Sequence, residues 1–111
     1  MTRSRTGTIS RMTSLEGKTA LVTGASKGIG KAIALAYGEA GANVVATART
    51  QSEIDEVTKA ITHQGSQALG VTADLGVESD IYELADTATQ AFGAIDILVN
   101  NAAIIHPRIA V

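Results

Sequence analysis

From Lys18 onward, short runs rich in β-branched residues alternate with longer stretches of helical period, and no other feature constrains the chain as much. Strands are expected at Thr19–Thr23, Asn43–Ala48, 67–73 and 95–100. Between them, Ile29, Ile33, Tyr37 and Ala40 share one face of a first helix; Ile54, Val57 and Ile61 share one of a second. Ile81, Leu84, Ala85 and Ala88 do the same for a third. Strand–helix–strand alternation of this kind builds an α/β fold with a parallel sheet. The right-handed crossover packs each helix back onto the twisted strands, so helices come to lie on both faces. The expectation is a four-strand βαβαβαβ unit.

Local signals place the ends. Gly41, Gly65 and Gly93 are suited to stop the three helices, and Thr50 with Glu53 has the spacing of a capping box opening the second. Within 111 residues, 45% of them hydrophobic, there is room for one small domain. A formal charge of −2 gives no general field for nucleic acid or an anionic membrane. With no cysteine, disulfides, thiolate metal sites and cysteine nucleophiles are excluded, and the chain is compatible with the cytoplasm. No apolar run approaches the roughly 20 residues of a membrane-spanning helix. Residues 1–13 differ from the rest: Arg3, Arg5 and Arg11 stand among serines and threonines without one acid, which reads as a disordered basic arm. A start placed upstream of Met12 is favoured over an organelle signal as its origin. Residues 14–111 then form the folding unit.

The stretch Thr23-Gly24-Ala25-Ser26-Lys27-Gly28-Ile29-Gly30 lies directly after the first strand and opens the first helix. Glycines there allow a sharp reversal and let a pyrophosphate approach backbone N–H groups, while the helix N-terminus adds about half a positive charge. A phosphate loop of the form G-x-x-x-x-G-K-[ST] fails at Ala25 and Ala32. The fingerprint G-x-G-x-x-G, started at Gly28, fails at Ile33. The spacing that fits is T-G-x-x-x-G-x-G. A glycine turn made only for helix packing is the competing explanation.

With these residues the chain resembles the short-chain dehydrogenase/reductase family, classical type, including β-oxoacyl carrier-protein reductases and tropinone-reductase-like members. The resemblance runs from about Leu15 to Ala103 and rests on four features in order: the glycine turn, Arg49 after the second strand, Asp74-Leu75 after the third, and Asn100-Asn101-Ala102-Ala103 after the fourth. It implies the N-terminal half of a Rossmann-type NAD(P)-binding domain, ending after the fourth strand. By the same resemblance Asp74 would accept from the adenine amino group beside the backbone of Leu75. An asparagine of the 100–101 pair would tie the fourth strand to Thr23, and Ala102 would line the ribose side of the cleft. Asp74 as a cap for the following turn is the plainer alternative. The family usually has glycine where Ala103 stands.

The charge pattern favours NADP(H) over NAD(H). NAD sites of this fold place a carboxylate at the end of the second strand, where this chain has Ala48, followed by Arg49. Arg49 and Lys27 are candidates to hold a ribose 2′-phosphate through charge-assisted hydrogen bonds, with Ser26 and Thr50 as secondary donors. Surface charges without a ligand are the alternative for both. His63 and His106 have no second ligand at metal-binding spacing and read as surface residues.

Enzymes of the resembled family pass a hydride between nicotinamide and a carbonyl or alcohol, using a serine and a Tyr-x-x-x-Lys pair beyond the fourth strand. Tyr37 and Tyr82 are the only tyrosines here; four residues on stand Gly41 and Asp86, so both are expected to be packing residues on helices. The cofactor carries hydride, but no residue in this chain is placed to manage the proton. No catalytic residue is assigned, and the chain alone is expected to be inactive. The leading expectation is therefore the cofactor-binding portion of an NADP-dependent oxidoreductase. The alternatives are a non-catalytic nucleotide-binding or interaction module, and a non-functional truncated gene product. The resembled family is usually homo-oligomeric, and the apolar edge at 95–99 is expected to make this chain self-associate.

Overall fold

A computed structural model of the chain describes residues 14–101. The basic arm expected at 1–13 lies outside the described residues, as do Ala102, Ala103 and His106. The elements run β1 (Thr19–Thr23), α1 (Gly28–Glu39), β2 (Asn43–Ala48), α2 (Gln51–His63), β3 (Ala68–Thr72), α3 (Glu78–Phe92) and β4 (Ile97–Asn100). All four strands are parallel, in the order β3-β2-β1-β4. This is a Rossmann-type half-sheet. The third and fourth strands are shorter than the apolar runs 67–73 and 95–100 that mark them.

Strand periodicity divides the core in two. Val22, Val44 and Ala46 point to one face, where they pack with Ala34 of α1 and Ile54, Val57 and Ile61 of α2. Leu21 and Val45, one residue out of step, point to the other face and meet Leu84 and Ala88 of α3. Helices thus cover both sides of the two central strands, which explains why β1 is buried along its whole length.

Two helical faces differ from the sequence expectation. On α1 the fully buried positions are Gly30, Ala34 and Gly38, while Ile33 and Tyr37 flank them half-buried and Ile29 is 69% exposed. Small residues at every fourth position let α1 approach its neighbours closely; a Cβ at Gly38 would stand 2.8 Å from Ile61 Cγ2. The apolar side chains of the helix therefore border the contact and do not fill it. On α3, Leu84 and Ala88 are buried, but Ile81 and Ala85 are exposed. Among the described residues the sheet has no strand beyond β4 to cover them. Tyr82, at 68% exposure, is likewise no packing residue.

Helix ends follow the glycines. Gly41, Gly65 and Gly93 all carry positive φ just past their helices. The capping box is a different matter: Thr50 is the N-cap of α2 but makes no side-chain capping hydrogen bond. Its partner in that expectation, Glu53, turns instead toward Lys27.

Strand β4 is seated by Asp96, a residue that sequence reasoning passed over. Its backbone N–H donates to Thr19 O at 2.9 Å, and its Oδ2 accepts from Thr19 N at 2.9 Å. This two-point grip at the start of both strands fixes the register Ala20↔Ile97 through Thr23↔Asn100. The available signal was an acid inside the otherwise apolar stretch 95–99.

Candidate functional site

The strand order reverses between β1 and β4, and in open parallel sheets the crevice outside the carboxyl ends of strands at such a point receives ligands. The residues at that crevice are Thr23 and Gly24 after β1, and Asn100 and Asn101 after β4. Thr23 Oγ1 lies 3.2 Å from Val99 O and 3.3 Å from Asn100 Oδ1, so the hydroxyl ties the two strands together where they end. Asn101 Nδ2 donates to Gly24 O at 3.2 Å.

That carbonyl is also the wall against which α1 begins. A Cβ built on Gly30 would overlap Gly24 O and come within 2.7 Å of Asn101 Nδ2. Gly30 is thus a steric necessity. Gly24 and Gly28 are conformational ones, with φ of 61° and 62°; around Gly28 a Cβ would find open space. Ala25 is fully buried and its N–H donates to Thr47 O at 3.1 Å, which fastens the turn to the end of β2.

The N-terminus of α1 is left open to solvent. Its N-cap, Lys27, makes no side-chain capping bond, and its first turn contains no acid. By contrast α2 has Glu53 in its first turn, and α3 has Glu78 and Asp80. Ser26 is half-buried, whereas Gly28 and Ile29 are exposed. The first turn of α1 therefore presents main-chain N–H groups and an unopposed positive dipole end beside a half-buried Gly24.

The cations and acids of the nucleotide reading lie along the same edge of the sheet. Arg49 lines an open depression of about 280 Å³ together with Thr72, Ala73, Asp74 and Asp80. Asp74 Oδ1 accepts from Gly76 N at 2.9 Å, which is the turn-capping arrangement. Asp74 N in turn donates to Asp80 Oδ2 at 2.9 Å. Asp80 escaped the sequence reading, although an acid in the first turn of a helix was its visible signal. Leu75 is half-buried and packs at the margin of the core on the α3 side. Lys27 Nζ stands 3.6 Å from Glu53 Oε2. The structure therefore engages Lys27 with Glu53 and places Arg49 beside Asp74 and Asp80; Thr50, between them in sequence, is exposed. Ala102 lies outside the described residues, and His63 is exposed.

The family model described as short chain dehydrogenase matches residues 18–110. The chain belongs to the short-chain dehydrogenase family. Among members of this family, glucose 1-dehydrogenase 2 of Bacillus subtilis is 47% identical over 89 residues, covering 79% of this chain and 34% of the relative. A versicolorin reductase of Emericella nidulans is 44% identical over 92 residues, covering 82% and 35%. The crystal structure of a hydroxysteroid dehydrogenase from Escherichia coli superposes with a TM-score of 0.76 at 41% identity, covering 78% of this chain and 37% of that one. A metagenomic short-chain oxidoreductase in complex with NADP gives a TM-score of 0.73 at 41% identity, covering 77% and 38%. This short-chain dehydrogenase chain thus spans about a third of the length of the relatives it matches. Among its described residues there is no group of three metal-ligating side chains and no helix long and apolar enough to cross a membrane.

Proposed function

We propose that this chain is the cofactor-binding portion of an NADP-dependent oxidoreductase that moves a hydride between nicotinamide and a carbonyl or alcohol. The observation that carries the reading is the first turn of α1. It is uncapped and free of acids, and it is held against Gly24 at a distance only glycine at position 30 allows. A pyrophosphate fits that cradle, because its oxygens accept from main-chain N–H groups that a side chain would cover. The family relationship and a neighbour solved with NADP support the same assignment.

In this reading Gly24, Gly28, Ile29 and Gly30 hold the pyrophosphate. Thr23 and Asn100 keep the ends of β1 and β4 together beneath it, and Asn101 fixes the Gly24 carbonyl. Ala102, outside the described residues, is assigned to the ribose on the family resemblance alone. Asp74 and Leu75 take the adenine, with one Asp74 oxygen occupied by Gly76 N and the other left for the ligand. Arg49 and Lys27, seconded by Ser26 and Thr50, hold the 2′-phosphate. Support for NADP(H) over NAD(H) comes from Ala48, which puts a methyl group where a carboxylate would select the unphosphorylated ribose.

When bound, the dinucleotide supplies the hydride. The protein must then manage a proton, and neither Tyr37 nor Tyr82 has a lysine four residues on. We assign the chain no catalytic residue and expect no turnover from it alone. Within its family it best suits the group that includes β-oxoacyl carrier-protein reductases and tropinone-reductase-like proteins, working in the cytoplasm without nucleic-acid or membrane partners. Among the described residues β4 pairs with β1 alone, and Leu98 is 64% exposed. Both features support association through that edge, with the rest of a complete enzyme or with a second copy. One other reading, a nucleotide-binding module without chemistry, rests on the same acid-free first turn of α1. Fluorescence titration separates binding from chemistry: NADPH binding tighter than NADH, with no carbonyl reduction, is expected. Absence of dinucleotide binding would defeat both readings.

A further inference from the structure

We propose that Glu53 determines specificity in this nucleotide site: it is a resident counter-ion for Lys27 that a cofactor phosphate has to displace, and it thereby restrains affinity for the phosphorylated dinucleotide. The inference rests on the reading of Lys27 and Arg49 given above.

Lys27 Nζ and Glu53 Oε2, 3.6 Å apart, form the one ion pair among the described residues. Lys27 is the residue before α1, and Glu53 sits in the first turn of α2. The pair therefore bridges the glycine turn and the segment after β2, the two pieces of chain that carry the nucleotide site. The Lys27 side chain is 78% exposed and that of Glu53 is 41% exposed. A pair this open is weak and separates without stranding a buried charge.

A phosphate with nearly two negative charges competes with one carboxylate for the same ammonium. Once Lys27 turns to the phosphate, Glu53 loses its cation and stands near the new anion, within reach of like-charge repulsion. Both effects oppose the phosphorylated ligand. A dinucleotide without that phosphate has no need of Lys27 and leaves the pair intact. Since Ala48 removes the carboxylate usual at the end of the second strand in NAD sites, Glu53 is the acid by which this chain sets the balance between the two dinucleotides.

Glu53→Gln keeps the size of the side chain and removes its charge. In fluorescence titrations of the 111-residue chain, this variant should tighten NADPH and 2′,5′-ADP by about two- to fivefold. NADH and 5′-AMP should be unchanged, and the gain should shrink as ionic strength rises. In a Lys27→Ala background the same replacement should yield less than half of that gain. Unchanged or weaker NADPH binding by Glu53→Gln, in a chain where Arg49→Ala still lowers NADPH relative to NADH, overturns the role of Glu53 alone. If Arg49→Ala and Lys27→Ala both leave the NADPH-to-NADH ratio untouched, the phosphate site itself fails and this inference falls with it.

Discussion

Gly30 lies so close to Gly24 that any side chain at position 30 would overlap the Gly24 carbonyl oxygen. Gly28, two residues earlier, has open space around it and is glycine for its positive φ alone. The two glycines should therefore respond differently to alanine. Gly28→Ala forces a left-handed conformation and should cost about 1 to 2 kcal/mol in urea unfolding. Gly30→Ala must displace backbone and the Asn101 amide, so it should cost more. Equal losses would mean that the steric contact is relieved cheaply.

Thr47 Oγ1 is buried and has no hydrogen-bond partner among the described residues. Thr47 is 1% exposed, between Thr23 and Val71 in the sheet register. Thr47→Val replaces the hydroxyl by a methyl of similar shape and removes an unmet polar group, which should raise stability by about 1 kcal/mol. A rise in Tm of roughly 4 to 8 °C in a calorimetric scan is the corresponding outcome for a chain of this size. A fall would mean that water or another group serves that oxygen.

These two sites also show how far the sequence could be read. Parallel strands, their order in the chain and the three crossover helices follow from alternating periods, because burial on both faces needs runs such as 43–48 and amphipathic segments such as 51–63. The glycine turn follows from spacing. What periodicity misjudged is α1, where Ile29 looked like core and Gly30 and Gly38 carry the contact, since small residues give no hydrophobic signal. Ile81 and Ala85 matched a helical stripe whose flank no strand among the described residues covers. Asp96 and Asp80 act through contacts with Thr19 and Asp74, which depend on where strands and turns end and not on any motif.

Arg49→Ala tests the phosphate assignment. Arg49 is exposed and borders the depression with Asp74 and Asp80, so its removal leaves the core intact. NADPH binding should weaken by about 1.5 to 3 kcal/mol and NADH binding far less. Equal losses for both dinucleotides would move the phosphate elsewhere.

Leu98 is the exposed apolar residue on the outer strand β4. If that edge recruits a second copy, Leu98→Lys should shift sedimentation toward monomer, because a charge at an edge discourages strand pairing. A wild-type chain that is already monomeric at high concentration would contradict association through β4.

The central claim is that a dinucleotide pyrophosphate rests on the first turn of α1. An NMR titration of the isotopically labelled chain with NADPH reads this directly through backbone amide shifts. The largest shifts should fall on Gly24, Gly28, Ile29 and Gly30, and a variant with a bulky residue at Gly30 should lose them together with binding. Saturable NADPH binding that leaves those four amides in place would contradict the account.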